Sequence, residues 1–426
     1  MLASSLYMVF ESIFVGKFLG TTAFAALGLA MPIVIMNFAL AELVGVGSSV
    51  PISIFLGQGD EEKANNYFTC SVLLTIFTGF LSGYAIYIFA PVFMQLMGAS
   101  GELLTMAVCY ARIYALFSPV APLMFSLDNY LRISGKLKTS MSLNILFSVM
   151  TIGLELLLIR VIPIGIAGAA LGTSITMVFC VAIGISRFLP GKLQLKFVKP
   201  RFSRSFLGHI YKNGIAPFLT NISGRLFSVM MNILLLRFGG ETGVAIYGVI
   251  MTLSSIVEQI LYGVVDSLQP AVGYNFGALR FDRVKKIERL IFTAAAIISL
   301  SGWTVMFFLP GLVATPFLKD LSILEMTIFA VRISSFTFLL KWFGTSVQCF
   351  FMALERPVLA MLVSIASACV FPLILIPLLL PLKITGLWLN YPLAALSTAI
   401  LAAVLLLVNR NRVFTTSIKS EFQGHK

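Results

Sequence analysis

A chain of 426 residues in which 59% of side chains are hydrophobic and 11% charged, with a mean hydropathy of +0.99, falls outside the class of soluble domains, where about 25% of residues carry charge. It reads as an all-α polytopic membrane protein, because a helix satisfies its own backbone polar groups in lipid. The net charge of +13 resides in bases that flank apolar spans, with no aromatic-interleaved basic domain for them to serve, so a nucleic-acid partner is excluded as well.

Apolar runs long enough to cross a ~30 Å hydrocarbon core lie at 2–16, 24–56, 65–91, 104–131, 139–160, 164–189, 211–236, 243–276, 287–312, 321–352, 358–380 and 384–409. They predict twelve transmembrane helices. The first run carries Glu11; it lacks a basic leader and an Ala-x-Ala-like exit, so no cleavable signal is expected and Met1 begins inside a helix. The second holds Glu42 and the stretch Gly45-Val46-Gly47, which follows no strand and reads as a place of close helix approach, not a dinucleotide fingerprint. Arg112 and Asp128 lie in the fourth run, Asp128 nearer its end, with Pro119 and Pro122 between them. Thr151 and Glu155 follow in the fifth, Thr173 in the sixth and Arg225 in the seventh. The eighth carries Glu258, Tyr262, Asp266 and Gln269, the first two on one face at i and i+4; the tenth carries Arg332 and Lys341. Pro217, Pro270 and Pro372 with Pro377 mark further points where a span can bend or end.

The chain is written twice. Lys17-Phe18-Leu19-Gly20-Thr21-Thr22-Ala23-Phe24-Ala25-Ala26-Leu27-Gly28 returns as Arg237-Phe238-Gly239-Gly240-Glu241-Thr242-Gly243-Val244-Ala245-Ile246-Tyr247-Gly248, an offset of 220 (Gly240 minus Gly20). At that spacing Gly57 meets Gly277, Lys63 meets Arg283, Arg112 meets Arg332 and Lys136 meets Arg356; later the offset slips to 218, pairing Pro163 with Pro381 and Gly168 with Gly386. A repeat of this length, running in one direction, predicts two parallel six-helix lobes. The expected domains are an N-terminal lobe at 1–189, a linker at 190–210, a C-terminal lobe at 211–410 and a tail at 411–426.

Placing the Lys17 to Thr22 connection outside leaves five bases outward (Lys17, Arg160, Arg237, Lys319, Lys383), four within spans (Arg112, Arg225, Arg332, Lys341) and the other 21 of 30 inside. That asymmetry follows the positive-inside rule and predicts cytoplasmic termini in the cell membrane. Five cysteines sit singly in apolar spans, and His209 and His425 are far apart, so neither a disulfide framework nor a metal or other cofactor is expected. The absence of a Walker A sequence excludes ATP as the energy source by that route and points to an ion gradient.

Chemistry then rests on carboxylates at lipid depth, which are costly and mark ion or substrate paths. Glu11, Glu42, Glu155, Glu258 and Asp266 qualify by position, and Asp128 is the weaker candidate. The duplication ranks them: Glu11 corresponds to Met231, Glu155 to Leu375 and Thr173 to Tyr391, so the first half is specialised for polar work. The plainer reading of each Glu is a hydrogen bond to a neighbouring helix, and that of Glu258 or Asp266 an ion pair with Arg225 or Lys341.

Several short motifs resemble the multidrug and toxic compound extrusion (MATE) transporters. Glu11-Ser12-Ile13-Phe14-Val15-Gly16 before Leu19-Gly20 is similar to the family's Asp-Thr-x-x-x-Gly turn, and Thr151-Ile152-Gly153-Leu154-Glu155 to its Asn-x-x-Leu-Asp. Gly165-Ile166-Ala167-Gly168 through Thr173, Leu131-Arg132 through Lys138, and Gln269-Pro270 through Gly277 match in order. The resemblance implies an antiporter that exports amphipathic, often cationic drugs against inward H⁺, with Na⁺ the less favoured ion, by rocking two lobes. It implies ion coupling at Glu11 and Glu155 beside Thr151 and Thr173, with Thr151 standing where the family has Asn, and more of the first helix upstream of Met1, including a bending proline. Glu258, Tyr262, Asp266, Gln269 and Glu42 are the candidates for substrate binding, and a monomer in the lipid bilayer is expected. The 18 methionines and 37 phenylalanines suit promiscuous binding, though in so apolar a chain they also serve as core and lipid-facing surface. The alternatives are a lipid-linked precursor exporter of the same superfamily, for which the four intramembrane bases speak, and a non-transporting scaffold.

Overall fold

The computed structural model of the chain describes residue 7, residues 10–317 and residues 323–415. The start of the first predicted span, Lys319, the end of the tail with His425, and the Arg225 side chain fall outside the described residues.

Among the described residues there is no strand, and twelve helical spans follow in the expected order. They are α1 (residues 10–19), α2 (Thr21–Gln58), α3 (Glu61–Leu96), α4 (residues 101–133), α5 (Leu137–Val161), α6 (Ile166–Phe188), α7 (residues 204–239), α8 (residues 241–277), α9 (Phe281–Phe308), α10 (Leu324–Ala353), α11 (residues 357–382) and α12 (Lys383–Thr415). Eight continuous stretches among these residues are long and apolar enough to cross a membrane, and they hold nine of the spans. Of the other three, α4 breaks into Gly101–Phe117 and Leu123–Ile133 around Pro119 and Pro122, while α1 and the side chains of α7 are described only in part.

The duplication is legible in the backbone itself. Gly20 and Gly240, 220 apart, both adopt positive φ (89° and 61°) with an extended ψ, ending α1 and α7 in the same way. Gly59 (φ 81°) pairs at that offset with Leu279 (φ 59°), and Gly135 (φ 72°) with Glu355 (φ 56°); Gly165 (φ 69°) pairs at 218 with Lys383 (φ 52°). All three non-glycine residues at positive φ among the described residues therefore stand where the first copy has glycine. The turn geometry has outlasted the residue type that favours it.

Two arginines predicted within spans have a matching structural explanation. Pro91 in α3 has no N–H to give the carbonyl of Tyr87 one turn earlier, and Arg112 Nε donates to that oxygen at 3.1 Å while its guanidinium lies 5.2 Å from the Tyr87 ring. At the 220 offset Arg332 Nε donates to the Phe307 carbonyl at 3.3 Å, where α9 stops before Pro310. In lipid an unpaired carbonyl is expensive, and the arginine supplies what the helix ladder lacks.

The chain divides into two compact units between Phe218 and Leu219. The first has a core of buried aromatics that includes Phe68, Tyr110, Tyr114, Tyr130 and Phe147. Its connecting segment after α6 is pinned to one end of α3: the Lys196, Val198 and Arg201 N–H groups donate to Asn65 Oδ1, Thr69 Oγ1 and Asn66 Oδ1. Tyr67 on the same helix contacts His209 Nδ1 at 2.8 Å, giving that histidine a structural partner. At the α2–α3 turn Asp60 caps α3 through the Lys63 N–H; partial burial opposes ionisation, but the hydrogen bonds and charge of Lys63 outweigh it and hold the carboxyl below its usual range. The second unit packs Phe227, Met231, Tyr247, Phe338, Leu387 and Trp388 into its core.

Candidate functional site

Glu11 on α1, Thr151 and Glu155 on α5, and Thr173 on α6 are all buried in the first unit, at 1%, 0%, 0% and 3% exposure. The fold brings them together. Tyr110 on α4 donates its hydroxyl to Glu11 Oε1 at 2.8 Å, and Thr173 Oγ1 donates to Glu155 Oε1 at 2.7 Å. The two carboxyl groups lie within electrostatic reach of each other and of Tyr7, whose ring packs edge-on against Phe147 at 4.9 Å.

Glycine makes this closeness possible. A Cβ on Gly172 would come within 2.8 Å of Glu155 Cγ, and one on Gly168 within 2.7 Å of the Leu158 carbonyl oxygen, so α6 presents a bare edge to α5. Both carboxylate-bearing helices then run into π-helical turns, residues 15–19 after Glu11 and 157–161 after Glu155. Such turns recur at functional sites because they re-aim side chains within a helix.

The cluster is only half satisfied. Glu11 Oε2, Glu155 Oε2 and Thr151 Oγ1 are buried with no hydrogen-bond partner. Buried carboxylate oxygens in that condition carry a large desolvation penalty unless a proton or cation meets them. Tyr7, Tyr110 and Tyr114 were not singled out from sequence, since a tyrosine in an apolar span reads as packing. The repeat held the missing signal: at 220 the counterparts of Tyr7 and Tyr110 are Phe227 and Ala330, so their hydroxyls are lost along with Glu11 and Glu155, while Tyr114 has Ser334.

The second unit has its own polar feature, a ladder between the parallel helices α8 and α10. Glu258 pairs with Lys341, Tyr262 is hydrogen-bonded to Thr345, and Cys349 Sγ donates to Asp266 Oδ1 at 3.7 Å. Each rung joins residues 83 apart and lies one turn from the next. The ion pair expected for Glu258 is present, and it lies near mid-span on both helices. Gln269, one turn past Asp266, has a buried Nε2 without a partner and stands outside the ladder. At the 220 offset the rungs become Phe38 and Ala121, Glu42 and Phe125, Val46 and Asn129. Glu42 thus holds the first-copy position of Tyr262, half-buried on α2 and apart from the Glu11 cluster's hydrogen bonds.

Asp128 is engaged in a different way: Arg132 pairs with it, while Ser140 Oγ and Asn144 Nδ2 donate to its Oδ1 at 2.5 and 2.7 Å. It ties α4 to α5. Of the intramembrane bases with described side chains, Arg112 and Arg332 cap carbonyls and Lys341 meets Glu258, so none of the three stands as an open anion-binding charge.

Known proteins share this fold. The MatE family matches residues 1–157 and 217–378. The Multidrug export protein MepA of Staphylococcus aureus is 27% identical over 348 residues, covering 80% of this chain and 76% of that protein. MepA of Staphylococcus saprophyticus is 28% identical over 353 residues with the same coverage. Among solved structures, a MATE protein in complex with MaL6 superposes with a TM-score of 0.91 at 22% identity, covering 97% of this chain and 93% of that one. A MOP superfamily transporter from Pyrococcus furiosus, described by a reverse polarity of its binding pocket, gives 0.89 at 23% identity, covering 96% and 92%.

Proposed function

The chain belongs to the MatE family, and from that membership we propose that it is a secondary active multidrug efflux antiporter, exporting amphipathic and often cationic compounds in exchange for an inward ion. The observation that carries the reading is the pair of buried carboxylates Glu11 and Glu155, each with one hydroxyl partner and one empty oxygen, in a first copy whose duplicate has Met231 and Leu375.

Protons are the better-supported coupling ion. The cluster's side-chain oxygens without a partner are Glu11 Oε2, Glu155 Oε2 and Thr151 Oγ1, and a proton needs one such oxygen where a metal cation needs several ligands at once. Thr151 also lacks the amide carbonyl of the Asn that stands there in the resembled motif. In the proposed cycle the cluster takes up a proton when dry and yields it when wetted, and the two π-helical ends of α1 and α5 are where those helices change course. Coupling requires that the proton and the substrate favour different conformations; contact alone shifts nothing. The termini are placed in the cytoplasm and the first connection outside, as the distribution of bases supports.

The test is transport of a fluorescent cation by proteoliposomes under an imposed pH gradient or an imposed Na⁺ gradient, with Glu11→Gln and Glu155→Gln alongside. Proton-driven uptake that both variants lose is expected. Uptake driven equally well in both variants would sink the assignment, and uptake driven only by Na⁺ would replace the ion.

A further inference from the structure

We propose that Lys341 is a tethered cation, an ammonium group that occupies the Glu258 carboxylate and that a positively charged substrate must displace, so that Lys341 sets how strongly the second unit accepts cations. The inference rests on the efflux reading for the class of ligand and goes beyond it in naming the residue that tunes selectivity.

The geometry carries it in three steps. The Glu258–Lys341 pair lies near the middle of both α8 and α10, where a charge facing hydrocarbon would cost several kcal/mol, about 2.5 to 3.5 on insertion scales. Yet the pair is not sealed, because 31% of the Glu258 side chain and 26% of that of Lys341 remain accessible. A carboxylate reachable at that depth faces a polar path, and a path that admits Lys341 from one side can admit another cation.

Aromatic groups flank the carboxylate. Tyr391 lies within electrostatic reach of Glu258; its hydroxyl meets that of Tyr247 at 2.7 Å, and its ring meets Phe227 edge-on at 5.9 Å. Tyr262 sits one turn below Glu258, hydrogen-bonded to Thr345. Aromatic residues near a carboxylate suit a bulky organic cation, whose charge is attracted to both.

The repeat gives the third step. Position 341 is Ala121 in the first copy and position 258 is Phe38, so acid and base are both peculiar to the second copy. A pair needed merely to hold two helices together would have an apolar solution in the first copy, and α2 with α4 shows that it does. A charge kept at such cost has a use, and the use consistent with its accessibility is exchange with an external cation.

The experiment measures binding to the full chain in detergent, using methyltriphenylphosphonium and triphenylphosphine oxide, which share a shape and differ in charge. Lys341→Met and Lys341→Gln are expected to tighten binding of the phosphonium on the order of tenfold, the size of an ion-pair contribution between exposed and buried limits. Binding of the oxide stays within about twofold, since no charge is involved. Adding Glu258→Gln to either variant erases the gain, and Lys341→Arg keeps the parent's weak binding.

Equal shifts for both ligands, or no shift for the phosphonium, overturn the role of Lys341 and leave the efflux reading intact. Parent and folded variants that bind neither ligand overturn both. Because Lys341→Gln keeps a hydrogen-bond donor for Glu258, it stays informative if the methionine variant unfolds.

Discussion

Gly172 lies against Glu155 so closely that a Cβ on the glycine would come 2.8 Å from the glutamate's Cγ and 3.0 Å from its backbone nitrogen. Backbone therefore meets backbone at the height of the buried carboxylate. Gly172→Val is expected to push α6 from α5 and break the Thr173–Glu155 hydrogen bond, with an overpacking cost of ~1–3 kcal/mol and at least about a tenfold fall in cation transport. Gly153→Ala, with nothing within 4 Å of the added Cβ, serves as the control and keeps its rate. Initial rates in proteoliposomes at matched protein amounts decide it, and an undiminished Gly172→Val removes the argument.

Tyr110 and Glu11 share one hydrogen bond, so their substitutions are not independent. Tyr110→Phe leaves Glu11 with neither oxygen partnered and is expected to lower transport by roughly tenfold, in line with a lost charge-assisted hydrogen bond. Combined with Glu11→Gln it adds little, because the group it served is already gone. Fully additive losses in a double-mutant cycle would show that Tyr110 acts elsewhere.

Most of this fold could be read from periodicity, because long apolar runs and an echo at fixed spacing survive any local irregularity. Glu11 and Glu155 were legible for the same reason: a charge within an apolar run stands out, and the copy shows it to be dispensable for packing. Tyr110 did not stand out, since its role depends on which helix packs beside α1. The α8–α10 ladder was half legible, as Glu258, Tyr262 and Asp266 fall on one stripe, while Thr345 and Cys349 gain meaning only from the register of two parallel helices. The π-helical turns at 15–19 and 157–161 left no mark in composition, because one extra residue in a turn changes geometry and not chemistry.

Leu279 holds φ 59° at a position where the first copy has Gly59 at φ 81°. A side chain in the left-handed region costs roughly 1–2 kcal/mol, and Leu279 is exposed, with 54% of its surface accessible, so little packing offsets that cost. Leu279→Gly is expected to raise the thermal midpoint in detergent by a few degrees, about what ~1 kcal/mol yields in a domain of this size. Gly59→Leu should lower it by a similar amount. A lower midpoint for Leu279→Gly would mean that the leucine makes contacts worth more than the strain.

The Arg112 pairing with the Tyr87 carbonyl makes a prediction that a generic surface arginine would not. Arg112→Ala removes the donor and leaves the oxygen that Pro91 has orphaned unpaired in lipid, a loss of about 1–3 kcal/mol. Pro91→Ala restores a backbone N–H one turn above Tyr87, so in that background the arginine has nothing left to satisfy. Arg112→Ala should therefore destabilise the parent and be nearly neutral beside Pro91→Ala, giving a coupling of similar size in a double-mutant cycle of thermal midpoints. The same cycle has no proline partner in the second copy, where the Phe307 carbonyl is freed by the end of α9 itself; there Arg332→Ala should cost stability whether or not Pro310 is replaced by alanine. Equal costs for Arg112→Ala in both backgrounds would assign its role to the Tyr87 ring, 5.2 Å from the guanidinium, and not to the carbonyl.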